Sequence, residues 1–161
     1  MNSSELSRQE YTARINRVMD YIGKNLGNTI DLSAMARIAS FSPYHFHRIF
    51  TFIVGETPAD FVLRIRLEKA AQLLRDDVKS AVGDIAYRCG FVNISSFSRA
   101  FRSYFGMTTR EFREQEKAIF VKDGIRYGKN CKPVSKIGKH VQQGYDQFCS
   151  VDFKQLIIMD T

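Results

Sequence analysis

Two of the chain's three histidines stand close together in SPYHFHRIF, residues 42–50. Histidine suits both metal ligation and proton transfer near neutral pH, so His45 and His47 raise the first chemical question. Ligation of one ion fails on spacing, because residues i and i+2 of a helix point about 200° apart. Cys89, Cys131 and Cys149 lie far apart, and no C-x-x-C occurs. A structural zinc site or a disulfide framework is therefore not expected. No phosphate-binding glycine loop, Ser–His–Asp spacing or pair of acids on one face is present either. The chain is read as a non-enzyme, with no catalytic residue, metal or cofactor.

The neighbours of His47 suggest a different chemistry. Tyr44, His47, Arg48 and Thr51 follow i, i+3, i+4, i+7 and form one helical stripe. Phe46, Ile49, Phe50 and Ile53 form the opposite, apolar stripe. Fifty-one residues later the polar stripe recurs as Ser95, Ser98, Arg99 and Arg102, and the apolar one as Phe97, Ala100, Phe101 and Tyr104. Residues 42–54 and 93–105 contain no Asp or Glu. An acid-free surface of arginine, hydroxyls and histidine suits DNA. Arginine forks onto guanine O6 and N7, while the smaller groups donate or accept single bonds to bases and phosphates. Here His47 is read as a DNA-contact residue and His45, at the stripe's edge, as nearer a phosphate.

Such stripes need helices to hold them. Ile15, Val18, Met19, Ile22 and Leu26 mark a first helix, with Gly27 as its stop. Leu32, Met35, Ala36 and Ala39 mark a short second helix, with Asp31 at its N-cap. Gly55 ends the helix of His47. Thr57 and Pro58 then start a longer one that carries Leu63, Leu67, Ala70 and Leu74. Val82, Ile85, Ala86 and Cys89 repeat the short-helix pattern at a shift of 50. The second turn, FVNIS, is one residue longer than the first. Thr108 and Glu111 have capping-box spacing for a last helix.

The fold class is therefore all-α. About seven helices form two helix-turn-helix units, about 31–54 and 82–105, joined by a linker helix at about 58–75. That linker, about 18 residues, would be ~27 Å long, of the order of one DNA turn. Two recognition helices would then enter successive major grooves. Cys89 falls on a core stripe and reads as a buried small thiol, with a redox sensor as the alternative. Met19 and Met35 read as core fillers. Arg64, Arg66 and Lys69 on the linker helix read as phosphate or polymerase contacts, or as solvated charges. Asp76 and Asp77 read as a helix-end loop.

The net charge is +7. Residues 1–116 hold 16 Lys and Arg against 13 Asp and Glu, and residues 117–161 hold 8 against 4. Placement of arginines therefore matters more in the first part than its total charge. No apolar run of membrane-spanning length or signal-peptide character occurs, so a cytoplasmic protein with no membrane partner is expected.

DIAYRCGFVNISSFSRAFRSYFGMTTREFR, residues 84–113, resembles the second helix-turn-helix unit of AraC/XylS-family bacterial regulators. Ile85, Ala86, Gly90, Phe91, Phe97, Arg99, Phe101, Gly106, Thr108, Phe112 and Arg113 fit that family's pattern. Thr109 stands where proline is usual. LSAMARIASFSPYHFHRIFTFIVGETPADFV, residues 32–62, resembles the first unit. The resemblance covers roughly residues 11–115 and implies an AraC-type DNA-binding domain at 10–116, activating transcription on double-stranded DNA beside RNA polymerase in the bacterial nucleoid. Carried over by position, it implies base readers at Tyr44, His47, Arg48, Ser95, Ser96, Ser98 and Arg99. Phosphate or rim contacts would be His45, Thr51, Asn93 and Arg102.

Residues 117–147 read as a basic linker or tail, and 148–161 as a possible first β-strand. VDFKQLIIMD resembles the opening strand of a GyrI-like effector-binding domain. A small-molecule effector would then act only through a domain that is incomplete in this chain. A strand docked on the helices and a basic tail aiding DNA affinity are the alternatives.

Two other functions compete with a DNA-binding regulator. One is a helical protein-interaction module without sequence-specific DNA binding. The other is a DNA-alkylation repair enzyme using a methyl-accepting cysteine. Neither N-C-K-P around Cys131 nor F-C-S around Cys149 has the reactive Pro-Cys-His form.

Overall fold

The computed structural model describes the backbone of residues 3–122, with side chains at residue 7 and over 9–115. Seven helices follow one another: α1 (Ser3–Lys24), α2 (Leu32–Ala39), α3 (Pro43–Val54), α4 (Pro58–Asp76), α5 (Val82–Arg88), α6 (Ile94–Phe105) and α7 (Thr109–Lys122). No strand occurs among the described residues. The all-α expectation holds there. The possible strand at 148–161 and most of the basic tail lie outside the described residues. Helix α7 continues six residues past Glu116, where the helical part was expected to end. The run EKAIFVK holds no Gly or Pro to stop it.

The described residues divide into two compact units. Residues 3–25 and 30–61 make the first, and residues 26–29 and 62–122 the second.

In the first unit the expected stripes meet as a core. Ile15, Val18 and Ile22 of α1 are fully buried, with Met35, Ala36 and Ala39 of α2 and Phe46, Ile49, Phe50 and Ile53 of α3. Phe50 meets Phe61 edge-on at 5.4 Å, which sets the end of α3 against the start of α4. Met19, expected in the core, is only half-buried. Leu26 lies beyond α1, which stops at Lys24 rather than at Gly27. Asn25 terminates it, its side-chain amide donating to the Tyr21 carbonyl at 2.8 Å.

The second unit has its own core. Leu67, Ala70 and Leu74 of α4, Ile85, Ala86 and Cys89, Phe97 and Phe101 of α6, and Phe112 of α7 pack together. Phe101 stands 5.5 Å edge-on from Phe112. Three polar ties trim this unit. Arg66 donates to the Leu26 carbonyl at 3.1 Å and the Asn28 carbonyl at 2.7 Å. Arg113 donates to the Asp77 and Ser80 carbonyls at 3.2 and 2.6 Å. Asp77 accepts from the Ser80 N–H and hydroxyl at 3.1 and 2.6 Å. So Arg66 spends its guanidinium inside the fold, and Asp77 organises the α4–α5 loop.

Candidate nucleic-acid interface

The two helix–turn–helix units are built by the same backbone bonds. In the first turn the Ser40 N–H donates to the Arg37 carbonyl and the Phe41 N–H to the Ala36 carbonyl. In the second, Gly90 donates to Tyr87 and Phe91 to Ala86, each shifted by 50. The following caps match at a shift of 51. Ser42 Oγ accepts from the His45 N–H at 3.3 Å, and Asn93 Oδ1 from the Ser96 N–H at 2.7 Å. Serine and asparagine satisfy the free N–H groups that open a helix, so α3 and α6 start at fixed points. Next come Thr57 with Asp60 and Thr108 with Glu111. Each threonine hydroxyl accepts the N–H three residues on, at 3.2 Å in both copies.

Where the first turn uses Ser40 in the left-handed region, φ 57°, the second uses Gly90, φ 83°. Arg14 supports the Ser40 turn, donating to the Ala39 and Ser40 carbonyls at 3.4 and 3.2 Å. Its guanidinium also lies 5.1 Å from the Phe41 ring centroid.

On α3, Tyr44 is 71% exposed and His47 is exposed. Arg48 is half-buried, with its guanidinium 5.6 Å from the Tyr44 ring centroid. The His45 ring is half-buried and packs 5.0 Å from Phe41 and 6.4 Å from Tyr11. It is therefore engaged in an aromatic cluster rather than standing at a free edge. Thr51 departs further from the outward stripe: its Oγ1 is buried and without a hydrogen-bond partner among the described residues.

On α6, Ser95, Ser96, Ser98, Arg99 and Arg102 are all exposed. Asn93 is exposed too, but its carbonyl is committed to the cap. Tyr104, expected on the apolar stripe, is 42% exposed, and its hydroxyl donates to Glu68 Oε1 at 2.9 Å. The same carboxylate pairs with Arg64 at 3.3 Å. Arg64 thus has a partner within its own helix.

Cys89 is fully buried. Burial pushes its thiol pKa up, against the pull of Lys69, Arg88 and Arg66. This matches the reading as a small core residue and opposes a reactive thiolate. Among the described residues no group of three or more His, Cys, Asp or Glu is placed to hold a metal ion. None of the described helices is long and apolar enough to cross a membrane.

A family model described as a helix-turn-helix domain matches residues 35–115, just over half of the chain. A solved transcriptional regulator from Chromobacterium violaceum, of the AraC-type DNA-binding-domain proteins, is similar with a TM-score of 0.62 at 25% identity, over 70% of this chain and 96% of that one. The chain belongs to the AraC-type helix-turn-helix family. The DNA-binding domain of AdpA, a global transcriptional factor solved with a target DNA, gives a TM-score of 0.64 at 24% identity, over 68% of this chain and 98% of that one. That likeness is one of fold.

Among curated AraC-type relatives, the transcriptional activator RhaS of Enterobacter sp. (strain 638) is 37% identical over 106 residues, covering 66% of this chain and 38% of RhaS. The bifunctional transcriptional activator and DNA repair enzyme AdaA of Bacillus subtilis (strain 168) is 34% identical over 103 residues, 64% of this chain and 48% of AdaA. The chain thus spans less than half the length of these relatives.

Residue reading missed the caps Ser42 and Asn93, although Ser-Pro and Asn before an apolar stripe are start signals. It also missed the internal tasks of Arg14 and Arg66, for which the local sequence carries no signal.

Proposed function

We propose that this chain is a sequence-specific double-stranded DNA-binding regulator of transcription, acting as an activator. Helices α3 and α6 are its two reading heads. The observation that carries this is the repeated, capped helix–turn–helix whose second helix shows Ser95, Ser96, Ser98 and Arg99 to solvent with no acid between residues 93 and 105. The name of RhaS as an activator and the AdpA domain's solution with target DNA support the reading.

In this reading the DNA-binding domain occupies residues 10–116. Tyr44, His47, Arg48, Ser95, Ser96, Ser98 and Arg99 face base edges, and His45, Asn93 and Arg102 lie toward phosphates. Thr51 stays a rim residue in this reading, although its hydroxyl oxygen is buried. RNA polymerase is the protein partner, and a small-molecule effector acts through sequence beyond the helical domain. The protein works in the bacterial cytoplasm, on the nucleoid, and is not an enzyme. Neither Cys131 nor Cys149 stands in the Pro-Cys-His setting of a methyl-accepting cysteine, and Cys89 is sealed in a core.

Hydroxyl-radical footprinting on a duplex bound by the chain tests this. Two protected windows about ten base pairs apart on one face of the duplex are expected, because one helical turn separates successive major-groove sites. Absent or sequence-indifferent protection would favour the helical protein-interaction module instead.

A further inference from the structure

The two turns differ by one inserted residue, and the backbone bonds identify it. Up to Phe41 and Phe91 the copies match at a shift of 50, and from the caps Ser42 and Asn93 onward at 51. Val92 is therefore the insertion. It has no counterpart in the first unit and is absent from the core, which closes over Phe91 and Phe97 at 5.0 Å on either side of it in sequence. Its side chain is 90% exposed, the most exposed large apolar residue among those described. Ile94, two residues on, is 45% exposed and lies over Gly83, where an added Cβ would come within 2.9 Å of its Cδ1. The Val92 side chain adds little to this fold, and it stands where whatever docks on this turn would meet it.

Val92 directly precedes the cap of the proposed second reading helix. The first turns of a recognition helix are the part that reaches base edges. Its neighbours Ser95, Ser96 and Ser98 supply single hydrogen bonds only. One major-groove feature is read by apolar contact, the C5-methyl of thymine. We infer that Val92 packs on a thymine methyl and adds a thymine preference to the block of DNA read by α6. A protein surface is the other class of occupant. The acid-free helix that follows, with Arg99 and Arg102 exposed, favours the polyanion. The inference rests on the proposed DNA-reading function and deepens it at one residue.

The test uses the whole 161-residue chain and a duplex selected by it from a random pool. Each thymine is replaced in turn by deoxyuridine, which removes the C5-methyl and leaves base pairing intact. One replacement is expected to weaken wild type roughly four-fold, the size of one methyl-group burial. Val92→Ala should bind the unmodified duplex that much more weakly and lose nothing further at that uracil. Val92→Ile should retain the sensitivity. Uracil effects of equal size in wild type and Val92→Ala, or none at any position, would overturn the role of Val92 and leave the DNA-reading function standing. Failure of the pool to yield any preferred duplex would overturn that function and this inference together.

Discussion

The Arg48 guanidinium rests 5.6 Å from the centre of the Tyr44 ring, one turn back along α3. Both side chains lie on the face opposite Phe46 and Phe50. An arginine over an aromatic face loses part of its rotamer freedom before it meets a partner. The pair can therefore present a planar donor fork at a fixed height above the helix. Arg48→Ala is expected to weaken specific binding by roughly 1–3 kcal/mol and to relax base preference in one half of the site. Tyr44→Leu should do less, about 0.5–1 kcal/mol through the loss of stacking. Anisotropy titrations on a selected duplex and its single-base variants measure both. Unchanged preference in Arg48→Ala would remove Arg48 from the reading face.

Arg102 stands exposed one turn before the end of α6, where a phosphate is the expected partner. Arg102→Ala should weaken binding to all duplexes about equally. The slope of log affinity against log salt should flatten by about one unit, since one fewer counterion is released. A loss confined to one sequence would make Arg102 a base reader instead.

Gly55 and Gly90 share a left-handed backbone, φ 82° and 83°, and differ in what surrounds them. A Cβ at Gly55 would meet nothing within 4 Å, so Gly55→Ala should cost only the strain of that conformation, about 1–2 kcal/mol. A Cβ at Gly90 would collide with the Leu26 carbonyl oxygen and come within 2.8 Å of Arg66 Cζ. Gly90→Ala should therefore cost on the order of 4 kcal/mol or more, a clash with backbone that cannot step aside. Denaturant unfolding of the two variants checks the ranking, and equal losses would contradict it.

Glu111 accepts from the Thr108 N–H at 2.7 Å and the Thr108 hydroxyl at 2.9 Å. These bonds hold its carboxyl below the ordinary carboxylate range. A depressed folded pKa adds stability above the unfolded value, about 4.3, and that gain disappears as pH falls through the folded value. The melting-temperature gap between wild type and Glu111→Gln should thus be level from pH 5 to 7 and shrink in more acid solution. A gap that holds or widens toward pH 3 would show that the charge is not what the cap uses.

The helices and their order were legible because the stripes, Asp31, Thr57, Pro58 and Thr108 are local signals. The repeat even exposed the extra residue in the second turn. The internal arginines were not legible, because their partners are carbonyls far away in sequence. Arg66 reaches back 38 and 40 residues, and Arg14 reaches forward 25 and 26. Helical spacing likewise assigned Thr51 to the outward stripe, although its hydroxyl oxygen is buried. His45 likewise reads as an edge residue until Tyr11 and Phe41 come together around it. Acid-free stripes point to the kind of partner, while the tally of available side chains depends on what the fold has already used.

Selection of duplexes from a random pool by the whole chain, at two salt concentrations, tests the two-headed reader most directly. Enrichment of one site with two defined blocks about one helical turn apart, retained at the higher salt, is the predicted result. Retention of every sequence at low salt, all lost together at high salt, would leave a basic helical protein and contradict the assignment of α3 and α6 as reading heads.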